Sequence, residues 1–119
     1  PYLHEMEFAL ACASICIGRA GAAFLSEMTA KGIPGILVPY PFATENHQEH
    51  NARVLADHGA AIVIRDAELT GERLIAIIED LVANRQKLQA MSIASKKLGR
   101  PSAAIDIAKL VCELVKRRK

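Results

Sequence analysis

Residues 14–22 read Ser14-Ile15-Cys16-Ile17-Gly18-Arg19-Ala20-Gly21-Ala22. A short apolar run with β-branched residues gives way to a glycine turn and then to a helix-forming stretch. The first part predicts a buried strand over Ser14–Gly18. Gly21 permits a tight turn. Ala22 to Lys31 predicts a helix, stopped by Gly32 and Pro34. A strand feeding a helix through a short turn is half of a parallel βαβ unit.

The same sequence of events recurs downstream. Gly35-Ile36-Leu37-Val38-Pro39 predicts a second buried strand, ended by Pro39 and Pro41. Thr44 suits an N-cap for a helix from about Glu45 to Asp57, which Gly59 closes. Ala60-Ala61-Ile62-Val63-Ile64 predicts a third strand. Upstream, Tyr2-Leu3 reads as the end of a strand or loop. Glu5 to about Ala13 reads as a short helix with Met6, Leu10 and Ala13 on one face. Beyond the third strand the chain is helical: Leu74, Ile77, Ile78 and Leu81 repeat at helical spacing, as do Leu88, Met91 and Ser95. Gly99-Arg100-Pro101 breaks the run, and Ala104, Ala108, Val111 and Val115 mark a last helix. The expected fold class is α/β, a parallel Rossmann-like sheet with flanking helices. Three or four strands are few for a doubly wound sheet, and the chain starts at Pro1 close to a helix. A fragment lacking its N-terminal part is therefore expected.

Composition fits this reading. The chain has 119 residues, enough for one domain with a core, with 51% apolar residues and a mean hydropathy of +0.17. Aromatics at 4% and the absence of Trp argue against a stacking platform for single-stranded nucleic acid. Charge is uneven. Residues 85–119 hold ten Lys/Arg against two acids, while residues 1–84 hold five against eleven. A basic end can face phosphates, anionic lipid or an acidic partner, or be a solvated helix face with a frayed tail. Cys12, Cys16 and Cys112 lie in apolar surroundings, which predicts reduced, buried thiols of a cytosolic protein. No basic start followed by an apolar run marks a signal peptide. The longest largely apolar run, Phe8 to Ile17, is too short to span a bilayer.

Three polar stretches stand at the expected helix starts, where open parallel sheets bind ligands. In Arg19-Ala20-Gly21-Ala22 the first-turn N–H groups lack helical partners and the macrodipole adds partial positive charge. An anion there gains about 0.3–1 kcal/mol from the dipole. Arg19 can add a charge-assisted hydrogen bond. The plain alternative is an ordinary tight turn. Glu27, six residues after Gly21, offers a carboxylate to both hydroxyls of a ribose; alternatively it is a surface Glu. Gln48 and Asn51, three apart, share a helix face and suit sugar hydroxyls, being donor and acceptor at once. His47 and His50 lie on the same turn, with no third ligand for a metal. No Gly-x-Ser-x-Gly elbow, P-loop, dinucleotide fingerprint or His-Glu-x-x-His occurs. No covalent nucleophile is evident.

Taken jointly, Arg19-Ala20-Gly21-Ala22, Ser26-Glu27, Gly32-Ile33-Pro34, Pro39 through Thr44, and His47-Gln48 through Asn51-Ala52 resemble the MurG family. Gly59-Ala60-Ala61 and Asp66 with Leu69-Thr70 continue the likeness, which runs from Pro1 to about Ala104. These are bacterial N-acetylglucosaminyltransferases that make lipid II from lipid I. The resemblance implies part of the C-terminal, donor-binding domain of a two-domain glycosyltransferase-B fold, residues 1–119 forming a single UDP-sugar-binding domain without the acceptor domain. It implies Leu3 against the uracil, Arg19, Ala20, Gly21 and Ala22 facing the diphosphate, and Glu27 on the ribose. It implies Gln48 and Asn51 on the N-acetylglucosamine, with His47 adjacent. His47 and Glu49 stand where some members carry Gln and other residues. No metal or other cofactor is implied, and no residue of this chain is implied as catalytic. The implied partners are UDP-N-acetylglucosamine, the N-terminal acceptor domain and, through it, lipid I. No nucleic acid is implied, and the work would be done peripherally at the cytoplasmic face of the bacterial inner membrane. Other readings of the residues are the donor subunit of a split glycosyltransferase-B enzyme, a non-catalytic nucleotide-sugar-binding module, and an α/β domain whose polar helix starts are only caps.

Overall fold

Alternating apolar strands and amphipathic helices condense into a three-layer arrangement in the computed structural model, which describes residues 4–42 and 46–118. The elements in chain order are α1 (Met6–Cys12), β1 (Cys16–Gly18), α2 (Ala22–Ala30), β2 (Gly35–Leu37), α3 (His47–Asp57), β3 (Ala61–Val63), α4 (Gly71–Ala83), α5 (Arg85–Leu98) and α6 (Ala103–Arg118), with a 3-10 turn at Asp66–Glu68. The three strands form a parallel sheet in sequential order β1-β2-β3. One register row runs Ile17, Ile36, Ile62. The strands are shorter than the apolar runs suggest: β1 begins at Cys16 rather than Ser14, and β2 and β3 end at Leu37 and Val63. Val38 and Ile64 still donate their N–H groups back to the sheet, to Gly18 O and Leu37 O, each at 2.9 Å. Leu3 and the expected Thr44 cap fall outside the described residues.

Side chains alternate across the sheet and split the core in two. Leu37 joins Leu10, Leu25, Met28, Ala52 and Leu55, so α1, α2 and α3 cover one face. Ile36, Val38 and Ile64 join Leu81 and Met91, so α4 and α5 cover the other. Helices on both faces are what a parallel sheet requires, since neither face tolerates water.

The helix ends have local causes. At the end of α2, Gly32 N–H donates to Thr29 O and Ile33 N–H to Met28 O, both at 3.0 Å, with Gly32 at φ +68°. This left-handed residue pairs the last carbonyls, as the glycine stop predicted. α3 closes the same way at Gly59. Thr70 Oγ1 caps α4 by accepting from Arg73 N–H. The long helical stretch is cut at Asn84, whose Oδ1 accepts from Lys87 N–H at 3.1 Å and starts α5. No glycine or proline marks that cut.

α5 is pinned to the α2–β2 turn by two hydroxyls: Ser92 Oγ donates to Gly32 O at 2.6 Å and Ser95 Oγ to Ile33 O at 2.9 Å. Ser95 is fully buried and so part of the core, as its helical spacing implied. Just beyond, Gly99 brings its backbone against α2: a Cβ there would lie 2.3 Å from Thr29 O and 2.6 Å from Thr29 C.

Two expectations are corrected. First, only Cys16 is buried; Cys12, the last residue of α1, and Cys112, on α6, where no described residue is buried, are exposed. Met6 is likewise exposed, while Leu10 anchors α1. Burial raises the Cys16 thiol above its ordinary pKa, so it holds its proton where exposed thiols begin to ionise. Since the thiolate is the reacting species, iodoacetamide at mildly alkaline pH should modify Cys12 and Cys112 well before Cys16, as read by peptide mass analysis. Equal rates for all three would show that β1 opens readily. Second, α6 forms, but Ala104, Ala108, Val111 and Val115 are all exposed among the described residues. No described residue of this helix is buried. No helix among the described residues is long and apolar enough to cross a membrane.

Candidate functional site

All three strands end on the same side of the sheet, and the polar stretches follow those ends. Gly18 closes β1, and Arg19-Ala20-Gly21 turns the chain into α2. Gly21 is the N-cap, in extended conformation at φ −70° and ψ 146°, and no side chain caps the helix. The N–H groups of Ala22, Ala23 and Phe24 therefore remain for a ligand or water.

The turn is held from α3. Gln48 Oε1 accepts two backbone N–H groups, from Ala20 at 3.2 Å and from Tyr40 at 2.9 Å. Asn51 Nδ2 donates to Ala20 O at 3.4 Å. Both polar groups of the buried Ala20 are thus satisfied by two side chains one helical turn apart. This is a different use of Gln48 and Asn51 from direct sugar contact alone. Gln48 commits its oxygen to the backbone but keeps its Nε2, which lies 3.8 Å from where a Gly21 Cβ would stand. Asn51 keeps its oxygen. The Ala20 N–H is spent on Gln48, so the donors left at this turn begin at Gly21.

Arg19 spans the sheet ends. Its Nη1 meets Asp66 Oδ1 at 2.6 Å and Val38 O at 3.4 Å, and its guanidinium lies 5.7 Å from the centre of the Tyr40 ring. Tyr40 in turn packs edge-on against Phe42 at 5.8 Å. Asp66, three residues past β3, was legible in sequence only as part of a family pattern. Its position just beyond a strand's C-terminal end was the available signal.

Glu27 is exposed on α2, and its carboxylate has no partner among the described residues. His47 opens α3 and is exposed; His50 is exposed as well. Asn46, just before α3, takes the left-handed conformation at φ 56°, which Asn tolerates better than most residues. Glu49 bridges Arg65 at 3.3 Å and Arg53 at 3.7 Å. Together Tyr40, Glu49, Arg65 and Asp66 line a cavity of about 260 Å³ between the β2–α3 and β3–α4 loops. A larger cavity of about 740 Å³ lies at the opposite pole, between Ser14, Lys31, Pro34 and Arg85. It is remote from the strand ends where such sheets bind ligands, so chemistry rather than volume places the site. No group of three or more His, Cys, Asp or Glu among the described residues could hold a metal.

Residues 1–107 match the glycosyltransferase family 28 C-terminal domain. The UDP-N-acetylglucosamine--N-acetylmuramyl-(pentapeptide) pyrophosphoryl-undecaprenol N-acetylglucosamine transferase of Desulforamulus reducens is 52% identical over all of this chain and 32% of its own length. The enzyme of the same name from Bacillus subtilis is 46% identical over 98% of this chain and 32% of its own. The crystal structure of Acinetobacter baumannii MurG superposes with a TM-score of 0.84 at 33% identity, covering 95% of this chain and 32% of that one. The chain thus spans about a third of the length of the relatives it matches. The expected fold class is borne out: a parallel α/β sheet with flanking helices, of the glycosyltransferase-B type. By its matched family, its relatives and its fold, the chain belongs to the glycosyltransferase family 28 C-terminal domains and is of the MurG type.

Proposed function

We propose that this chain is the donor-binding part of an inverting transferase. The enzyme moves N-acetylglucosamine from UDP-N-acetylglucosamine to the 4-hydroxyl of lipid I, giving lipid II. The observation that carries this reading is the clasp of Gln48 and Asn51 around Ala20, which fixes an uncapped helix N-terminus at the strand ends.

In this reading the diphosphate sits at the α2 N-terminus, where N–H groups and the helix dipole favour negative charge. Arg19 adds a charged donor at the same turn, and Gly21 and Ala22 let the backbone approach closely. The Glu27 carboxylate accepts from the ribose hydroxyls. Gln48 Nε2 and the Asn51 oxygen face the sugar, with His47 beside them. The acceptor hydroxyl attacks the anomeric carbon from the far side, the bond from that carbon to the diphosphate oxygen breaks, and UDP leaves with both bonding electrons. Charge then grows on the diphosphate, and donors fixed beforehand stabilise it with no reorganisation. The general base and the lipid I site belong to an N-terminal acceptor domain in this scheme, at the cytoplasmic face of the inner membrane.

Calorimetric titration of the natural polypeptide carrying this chain tests the reading. UDP-N-acetylglucosamine should bind, and more tightly than UDP-glucose. Glu27→Ala should weaken binding about tenfold or more, because a hydrogen bond to a charged group contributes about 1.5–3 kcal/mol. Absence of any uridine nucleotide binding at millimolar ligand overturns the proposal.

A further inference from the structure

We propose that Asp66 is a positioning residue for Arg19, holding the guanidinium by one nitrogen so that its other edge is presented to the donor diphosphate. The inference rests on the donor-site reading above and extends it to a residue on the third strand's loop.

The geometry is specific about which part of Arg19 is used. Nη1 serves both Asp66 Oδ1, at 2.6 Å, and Val38 O, at 3.4 Å. Its two hydrogens are thereby spent. The Nε–H and Nη2 edge has no partner among the described residues. That edge is the side of the fork that grips a phosphate with two parallel hydrogen bonds. The Tyr40 ring, 5.7 Å from the guanidinium carbon, gives the cation a third neighbour. Val38, Tyr40 and Asp66 follow two different strands, so the side chain is located by the sheet itself rather than by one loop.

Exposure decides what this contact is for. Both partners are open to solvent, 49% for Arg19 and 38% for Asp66. An ion pair so exposed adds little to folding stability. Its effect falls instead on the freedom of a long side chain that must be ordered when an anion arrives. The other charges near Asp66 are already matched, since Arg65 pairs with Glu49 at 3.3 Å. Arg19 is therefore the cation that Asp66 places. Asp66 also repels phosphate, and the sign of its net effect separates a positioning residue from a mere competitor for Arg19.

The test is titration of UDP and of uridine against the natural polypeptide carrying this chain. Asp66→Ala should weaken UDP binding about three- to tenfold, the scale of ordering one rotamer-rich side chain. Uridine, which lacks the diphosphate, should bind as before. Asp66→Asn keeps an acceptor oxygen for Nη1 and should restore most of the affinity. In an Arg19→Ala background, Asp66→Ala should then have no further effect. UDP bound as tightly or more tightly by Asp66→Ala overturns the proposal and makes Asp66 a competitor. An equal loss for uridine also overturns it, by showing a general structural role. A wild-type protein that binds neither ligand overturns the donor-site reading itself, a different failure from either of these.

Discussion

Gln48→Leu should abolish measurable UDP-N-acetylglucosamine binding and lower stability by about 1–3 kcal/mol. The stability loss has a single dominant source. Gln48 Oε1 is the acceptor for the N–H of Ala20, a fully buried residue. Leucine fills the space but leaves that N–H without a partner, and an orphaned buried donor costs about 1–3 kcal/mol. Tyr40 N–H, the second donor, is exposed, and water replaces its partner at little cost. The binding loss is larger because two things fail together. The Arg19–Gly21 turn is released on one side, and the Nε2 donor disappears. Gln48→Glu separates them. It keeps an oxygen for both N–H groups, so stability should stay near wild type. It loses the amide donor and puts a negative charge beside the anion site, so affinity should still fall. Urea unfolding and titration of the two variants read the two effects. Wild-type stability in Gln48→Leu would mean that the turn is held by something other than this side chain.

Gly99→Ala should destabilise the fold by about 3 kcal/mol, at the upper end of the usual cost of overpacking. The added methyl would meet backbone rather than a flexible side chain: Thr29 O at 2.3 Å, Thr29 C at 2.6 Å and Ala30 N at 2.9 Å. Those atoms cannot yield cheaply. Thr29 O already receives Gly32 N–H, and the Thr29 hydroxyl donates to Leu25 O at 2.8 Å inside the core. Two other glycines calibrate the result. At Gly35 the methyl would meet Met28 Sδ at 2.8 Å, a side chain that can turn, so the cost should be smaller. At Gly71, the first residue of α4, nothing lies within 4 Å, and alanine should be neutral or slightly stabilising. Urea midpoints that fail to rank the three in this order would refute the contact argument.

The sheet was legible because its signals are local. Three apolar runs, each followed by a turn and a helical period, dictate three parallel strands, and Gly32 and Gly59 announce their own left-handed stops. Burial on α6 was not legible. Val111 and Val115 mark a face by spacing alone, and spacing does not say whether anything lies against it. The cut at Asn84 needed the one capping bond to Lys87 that distinguishes a new helix from a continued one. At the candidate site, residue types were readable and their partners were not. Gln48 meets backbone groups 8 and 28 residues away, and Arg19 meets a carboxylate 47 residues away. The polarity of an amide suggested a sugar. Only the fold shows that half of that amide is already engaged in holding the turn.

The contacts that cross the strand ends bear on how such a site can be varied. Arg19 reaches from the first strand's loop to the third, and Gln48 joins the first to the second. The three loops are consequently not interchangeable modules. A graft that replaces one of them with a relative's version inherits half of each contact and leaves the other half mismatched. Recombination and redesign of donor preference should therefore succeed when all three loops move as a set, and the natural breakpoints lie in the helices behind them.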